Sequence, residues 1–260
     1  MVGGRWSVMS EAGEYIDSLR LPWPRPQVTL IRTLLDRLTT ALPSQCAVCR
    51  AWPAQALCEA CVARFAQPRP RCRSCALPVP QGVERCGACI KQAPPLDLCL
   101  TAVAYEYPWS GLVARYKFGA SPGWSQALAL LMRSTPWAEP ALDAADLVLP
   151  MPLSSERLRE RGFNQARELT RHLAPGKVRA DVLLRLHDTP AQSSLPRAAR
   201  LRNVRGAFGV APGREREIDG RRVLLVDDVM TSGASLHTAA QALRAAGAAH
   251  ITALVLARTE

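Results

Sequence analysis

Long apolar runs are missing from this chain of 260 residues, although 48% of it is hydrophobic, enough for a core. The longest, such as residues 147–153 and 223–226, fall far short of the roughly 20 residues that cross a bilayer, so no spanning helix is expected. The opening stretch MVGGRWSVMSEAGEYIDS has no apolar region followed by a small-residue cleavage site. No secretory signal is therefore expected, and the protein is placed in the cytoplasm. That placement argues against disulfides among its nine cysteines. Histidine is sparse: His172, His187, His237 and His250 are scattered without ligand spacing and are expected to be structural. Lysine is sparser still, with Lys91, Lys117 and Lys177 the only lysines among 33 basic residues. The net charge of +11 is thus carried by arginine, whose planar fork grips phosphate in a bidentate way. The excess sits in two blocks: seven basic against two acidic groups in residues 46–91, and sixteen against eight in residues 151–222. A phosphorylated ligand, nucleic acid or both would suit such blocks, as would a merely solvated basic surface.

Beyond the cysteines there is no internal repeat. Residues 1–45 mix Gly, Pro, Trp and charge, then carry apolar residues at helical spacing (Leu30, Ile31, Leu34, Leu35, Leu38), which predict one short amphipathic helix over 27–42. Residues 46–91 hold four C-x-x-C pairs: Cys46 and Cys49, Cys58 and Cys61, Cys72 and Cys75, Cys86 and Cys89. One such turn offers two thiolates to a tetrahedral ion and a second turn completes the shell, so eight cysteines make two four-thiolate zinc sites. The simplest pairing is sequential; a crossed pairing of first with third and second with fourth has equal ligand count. Filled shells leave no open position for water, which makes the zinc structural. Cys99 falls in a strand pattern and is expected in the core. Trp52 and Phe65 are expected to form the small core of the cysteine-rich module.

From residue 92 onward, strand and helix patterns alternate. Strands are predicted over 98–107, 146–151, 180–186, 222–226 and 251–256, with helices over 110–118, 124–132, 154–173 and 234–246. Such alternation predicts a parallel α/β sheet flanked by helices. Gly162, inside the charged 154–173 helix, costs about 1 kcal/mol relative to Ala, so a break there would turn Arg161, Asn164 and Gln165 toward the sheet edge.

The segment VLLVDDVMTSGAS, residues 223–235, concentrates the chemistry. An apolar strand ends on Asp227 and Asp228. A loop of Val229, Met230, Thr231, Ser232 and Gly233 follows, and a helix opens near Ala234 and Ser235. Ligands of open α/β sheets lie at the carboxyl ends of strands. Loop amides and a helix N-terminus attract an anion. The hydroxyls of Thr231, Ser232 and Ser235 add donors, and Gly233 admits close backbone approach. Two carboxylates suit sugar hydroxyls, directly or through a divalent metal. Together these parts predict a site for a ribose 5′-phosphate.

The string resembles the phosphoribosyl pyrophosphate (PRPP) signature of type I phosphoribosyltransferases. The resemblance implies that Asp227 and Asp228 face the ribose hydroxyls, with Mg²⁺, and that Thr231 to Ser235 cradle the 5′-phosphate. Purine-salvage members carry an Asp where this chain has Thr231, and Thr has no useful pKa as a base toward a purine; orotate-type members tolerate Thr. Further segments sharpen the likeness: Tyr116-Lys117-Phe118-Gly119, Pro150-Met151-Pro152, Arg161-Gly162-Phe163-Asn164-Gln165-Ala166, and a loop with Gln192, Arg197, Arg200, Arg202 and Asn203 before Phe208. With the cysteine pairs, these resemble the ComF family over residues 40–258. That resemblance implies a double zinc ribbon over 46–91, a phosphoribosyltransferase-like domain over 92–260, PRPP binding with Mg²⁺ and a role in natural transformation on single-stranded DNA. It also implies that Pro152, Leu153 and Ser154 approach the pyrophosphate, with Lys117 and Arg161 as further phosphate contacts. Two other functions fit the same residues: an active phosphoribosyltransferase of nucleotide salvage or synthesis, and an adaptor whose zinc module docks a helicase or recombination partner.

Overall fold

A computed structural model describes residues 44–119, 122–187 and 206–260. The helix predicted over 27–42 and the Arg-rich loop with Gln192, Arg197, Arg200, Arg202 and Asn203 lie outside the described residues.

Two short cysteine units come first. In each, a C-x-x-C turn is followed by a residue of positive φ, Arg50 at 66° and Ala76 at 57°. The second pair of each unit then opens a helix: Cys58 precedes α1 (Glu59–Phe65) and Cys86 precedes α2 (Gly87–Lys91). The chain continues as β1 (Leu98–Ala104), α3 (Trp109–Phe118), α4 (Ser125–Arg133), α5 (Ala138–Ala144) and β2 (Leu147–Pro150). After these come α6 (Ser155–Arg161), α7 (Gln165–Leu173), β3 (Leu183–Arg185), β4 (Phe208–Val210) and α8 (Glu215–Ile218). The last elements are β5 (Arg222–Met230), α9 (Ala234–Ala245) and β6 (His250–Arg258).

The main sheet is four-stranded in the order β1-β6-β5-β2, and all its pairs are parallel. Its central strands, β5 and β6, are buried on both faces, which is why they read as continuous apolar runs rather than alternating ones. Alternation decides which face each residue serves. Val223, Leu225, Ile251, Ala253 and Val255 pack with α9, Phe208 and the second cysteine unit. Leu224, Val226, Leu254 and Leu256 pack on the opposite face with α3, α4, α7 and the first cysteine unit. Each cysteine unit therefore shares a core with one face of the sheet.

The elements depart from the predicted ones at several points. The helix predicted over 154–173 is two helices. Gly162, at φ +77°, ends α6, and Asn164 caps α7 by accepting a hydrogen bond from the Arg167 amide at 3.1 Å. The strand predicted over 180–186 shrinks to β3 and pairs antiparallel with β4, outside the main sheet. β5 runs to Met230, because its pairing with β6 continues to Met230 opposite Arg258. Val229 and Met230 thus belong to the strand, and the turn is confined to Thr231, Ser232 and Gly233. The helix α5 carries too weak a period to have been predicted. Trp52 is exposed rather than part of a small core, whereas Phe65 packs on the main core and meets Tyr107 edge-to-face at 5.8 Å.

Candidate functional site

The carboxyl end of β5 places Asp227 and Asp228 on successive residues, hence on opposite sides of the strand. Asp228 is buried, and its backbone amide donates to Asp227 Oδ1 at 2.9 Å. Lys117, in the last turn of α3, places Nζ 3.0 Å from Asp228 Oδ1. Burial pushes the Asp227 carboxyl up to about 7, with the neighbouring Asp228 charge adding to the rise and Lys117 and Arg161 acting against it. Two acids with one lysine in contact leave residual negative charge at the strand end, an environment that a divalent cation would neutralise.

Beyond Met230 the chain turns sharply into α9. Gly233 sits at φ +81°, and a Cβ there would lie 2.6 Å from Met230 Cε and 2.8 Å from His237 Nε2. Only glycine combines that conformation with that space. Gly233 is the residue before α9 and offers this helix no side-chain cap. Ser232 Oγ accepts from the Ala234 amide at 3.4 Å. Thr231, Ser232 and Ser235 are half-buried, so their hydroxyls lie near solvent. The turn thus combines donors, a helix N-terminus and close backbone approach.

A second wall comes from residues 151–165. Ser154 caps α6, its Oγ accepting from the Arg157 amide at 3.3 Å, so that hydroxyl already serves the helix. Asn164 Nδ2 donates to the Met151 carbonyl at 3.0 Å, which ties the start of α7 to the end of β2 beside Pro152 and Leu153. Gln165 links this wall to α3. Its carbonyl accepts from Tyr116 Oη at 3.1 Å, and its Oε1 accepts from Arg161 Nη1 at 3.1 Å. Arg161 also lies over the Phe118 ring at 5.4 Å. After the break at Gly162, Asn164 thus reaches the end of β2, while Arg161 and Gln165 meet each other and α3. Lys117 and Arg161, expected on a phosphate, instead contact Asp228 and Gln165 in this structure.

The cysteines assemble sequentially. The sulfurs of Cys46, Cys49, Cys58 and Cys61 lie within 4.8 Å of one another, as do those of Cys72, Cys75, Cys86 and Cys89. A tetrahedral shell with 2.3 Å bonds puts sulfurs about 3.8 Å apart. Cys49 and Cys58 are separated by 3.6 Å, and Cys75 and Cys86 by 3.7 Å. Burial opposes ionisation of Cys46, yet backbone hydrogen bonds from Cys49, Cys58 and Val48 outweigh it and bring the thiol down to about 6. Cys72 likewise falls to about 7, where amides of Cys86 and Ser74 outweigh burial. Burial pushes Cys61 and Cys89 upward, and their neighbouring sulfurs push the same way. Four thiolates crowded so closely need a cation, and each quartet has the donor set and spacing of a closed zinc site. Cys99 stands apart: it is buried in the sheet, its Sγ 3.6 Å from Met230 Sδ.

Arg258 was missed in the sequence. It ends β6, is only 4% exposed, and its guanidinium meets backbone carbonyls of both the turn and the second quartet. A charged residue closing an apolar strand was its only signal.

Comparison with known proteins agrees with this architecture. The phosphoribosyl transferase domain family matches residues 158–260, and the double zinc ribbon domain family matches residues 37–90. The chain is 30% identical over 232 residues to the DNA utilization protein YhgH of Escherichia coli O6:H1, covering 84% of this chain and 98% of that one. It is 32% identical over 179 residues to competence protein F of Haemophilus influenzae, covering 65% and 76% of the two chains. Over 114 residues it is 34% identical to competence protein ComFC of Bacillus subtilis, covering 44% and 45%. A solved structure of the allosteric regulatory enzyme of purine biosynthesis aligns with TM-score 0.33 and 19% identity, covering 55% of this chain and 30% of that one. Among the described residues, no helix is long and apolar enough to cross a membrane. With a relative matched along nearly its whole length, a phosphoribosyl transferase domain and a double zinc ribbon in one chain, this protein belongs to the ComF family.

Proposed function

We propose that this protein binds PRPP as its Mg²⁺ complex at the carboxyl end of β5 and works on single-stranded DNA in DNA uptake, in the cytoplasm. The observation that carries the ligand assignment is the juxtaposition of Asp227 and Asp228 with the turn from Thr231 to Ser235 at the start of α9. The amides of that turn hold the 5′-phosphate. Asp227 and Asp228 bind the ribose hydroxyls and share the magnesium ion, whose charge offsets theirs. Lys117 and Arg161 exchange their present partners for the pyrophosphate beside Pro152, Leu153 and Ser154. Magnesium, when bound, supplies neutralisation of the two carboxylates and of the pyrophosphate.

Thr231 supplies no general base, so the residues present support binding of PRPP more directly than transfer to a purine. The DNA assignment draws on the names of the relatives, a DNA utilization protein and two competence proteins, and on the arginine excess of residues 46–91 and 151–222. Arginine clusters bind a nucleic-acid backbone through counterion release. Calorimetric titration of PRPP with Mg²⁺ tests the first part. Saturable binding by the native chain and none by the Asp227→Ala/Asp228→Ala variant is expected; equal binding by both would remove the assignment. Anisotropy of labelled single-stranded DNA between about 50 and 200 mM salt tests the second, and an affinity flat across that range would refute it.

A further inference from the structure

We infer that Arg258 couples the second cysteine quartet to the phosphate-binding turn, so that closure of that quartet around its metal sets the affinity of the turn. This rests on the ribose-phosphate assignment of residues 231–235 proposed above.

Arg258 lies at the meeting point of three segments. Its Nε donates to the carbonyl of Cys75, a member of the second quartet, at 2.9 Å. Its Nη1 donates to the carbonyl of Met230 at 3.1 Å and to that of Thr231. One planar, always-charged group thus ties a metal-ligating residue to the first residues of the turn. The side chain is 4% exposed, so water cannot readily replace an acceptor it loses.

The direction of these bonds matters for the ligand. In a trans peptide the N–H points opposite to the C=O of the same unit. Drawing the Met230 and Thr231 carbonyls to Arg258 therefore turns the Thr231 and Ser232 amides away from it, leaving them for an anion. Arg258 holds the turn in its donor-outward form and touches no reacting atom; it is a positioning residue.

At its other end, the Cys75 carbonyl is aimed by the knuckle itself. Ala76 follows at φ 57°, its amide donates to the Cys72 carbonyl at 2.8 Å, and its own carbonyl accepts from Arg71 Nη1 at 2.8 Å. An ion shared by the four sulfurs of this quartet would hold the knuckle closed. Cys72, Cys75 and Cys89 also belong to the same buried cluster as Met230 and Ala234. If the ion leaves, the sulfurs separate, the knuckle opens, and the Cys75 carbonyl no longer anchors Arg258. The first quartet is anchored differently, on the opposite face, where Arg115 Nη2 donates to the Ala47 carbonyl at 2.9 Å.

The test is a double-mutant cycle in the full chain, reading zinc content and calorimetric affinity for PRPP with Mg²⁺. Arg258→Ala should keep both zinc equivalents and weaken binding on the order of tenfold, a usual size for coupling between sites. Cys86→Ser should lose one zinc equivalent and weaken binding similarly. The double variant should bind no more weakly than either single one, because both cut the same link. Cys49→Ser, which opens the first quartet, should lose a zinc equivalent and multiply with Arg258→Ala as an independent change. If Arg258→Ala does not fold, Arg258→Lys takes its place, since a single ammonium cannot span both sets of carbonyls. Native-like affinity in the Arg258 variant, or multiplying effects of Arg258 and Cys86, would overturn the coupling. Failure of the native chain to bind PRPP would instead strike down the ligand assignment on which it rests.

Discussion

Replacing Gly233 with alanine tests the geometry of the turn directly. The native φ of +81° is a conformation that an L-residue reaches at a cost of about 1–2 kcal/mol. The new methyl would also stand 2.6 Å from Met230 Cε and 2.8 Å from His237 Nε2, so two side chains must move. Met230 is buried against Cys99 and has little room to yield. A loss of about 2 kcal/mol follows, equivalent to roughly 4–8 °C in melting temperature for a chain of this size. The matched control is Gly111→Ala in α3, where the added Cβ meets nothing within 4 Å. There an alanine removes the entropic penalty of a helical glycine and should stabilise by up to about 0.5–1 kcal/mol. Differential scanning calorimetry of both variants, with zinc in excess, gives the comparison. A Gly233→Ala protein that melts with or above Gly111→Ala would refute the left-handed turn and the donor arrangement built on it.

Two further predictions concern acids and thiols. Asp227 is raised to about 7 by burial and by Asp228, against an ordinary carboxylate value of 3.8. Between those values the folded chain binds more protons than the unfolded one, so this group's contribution to stability is present at low pH and is lost as pH rises toward 7. In magnesium-free buffer, the urea midpoint of the native chain relative to Asp227→Asn should therefore fall from pH 5.5 to 8; a rise would contradict the burial of this carboxyl. Cys99→Ala should retain two zinc equivalents and the native fold, whereas substitution of Cys72 should lose one equivalent. Because burial pushes the Cys99 thiol up to about 12, it should also resist thiol reagents until the protein unfolds; rapid modification of the native chain at this residue would show the site to be open.

The fold was legible wherever one local rule dominated. Continuous apolar runs marked the buried parallel strands β5 and β6, because a strand covered on both faces has no polar face to show. Gly162 signalled a helix break since nothing but a left-handed turn repays a glycine there. Other features were hidden for equally physical reasons. Whether β3 would join the main sheet depended on β4, a partner more than twenty residues distant. The end of β5 depended on how far β6 continued beside it. The exposure of Trp52 and the burial of Phe65 depended on which surface each cysteine unit met. In a small module with little core of its own, composition alone does not decide that.

By itself, then, the sequence determined the four cysteine pairs, the acidic strand end and the glycine-bearing turn. Each is a local pattern whose chemistry requires particular residue types at short spacing. Only the tertiary structure decided that the quartets form sequentially, that Lys117 rests on Asp228, and that Arg258 joins a cysteine knuckle to the turn before α9. Those relations bring together residues up to 183 positions apart, and only the packing of the sheet and its two faces makes them neighbours.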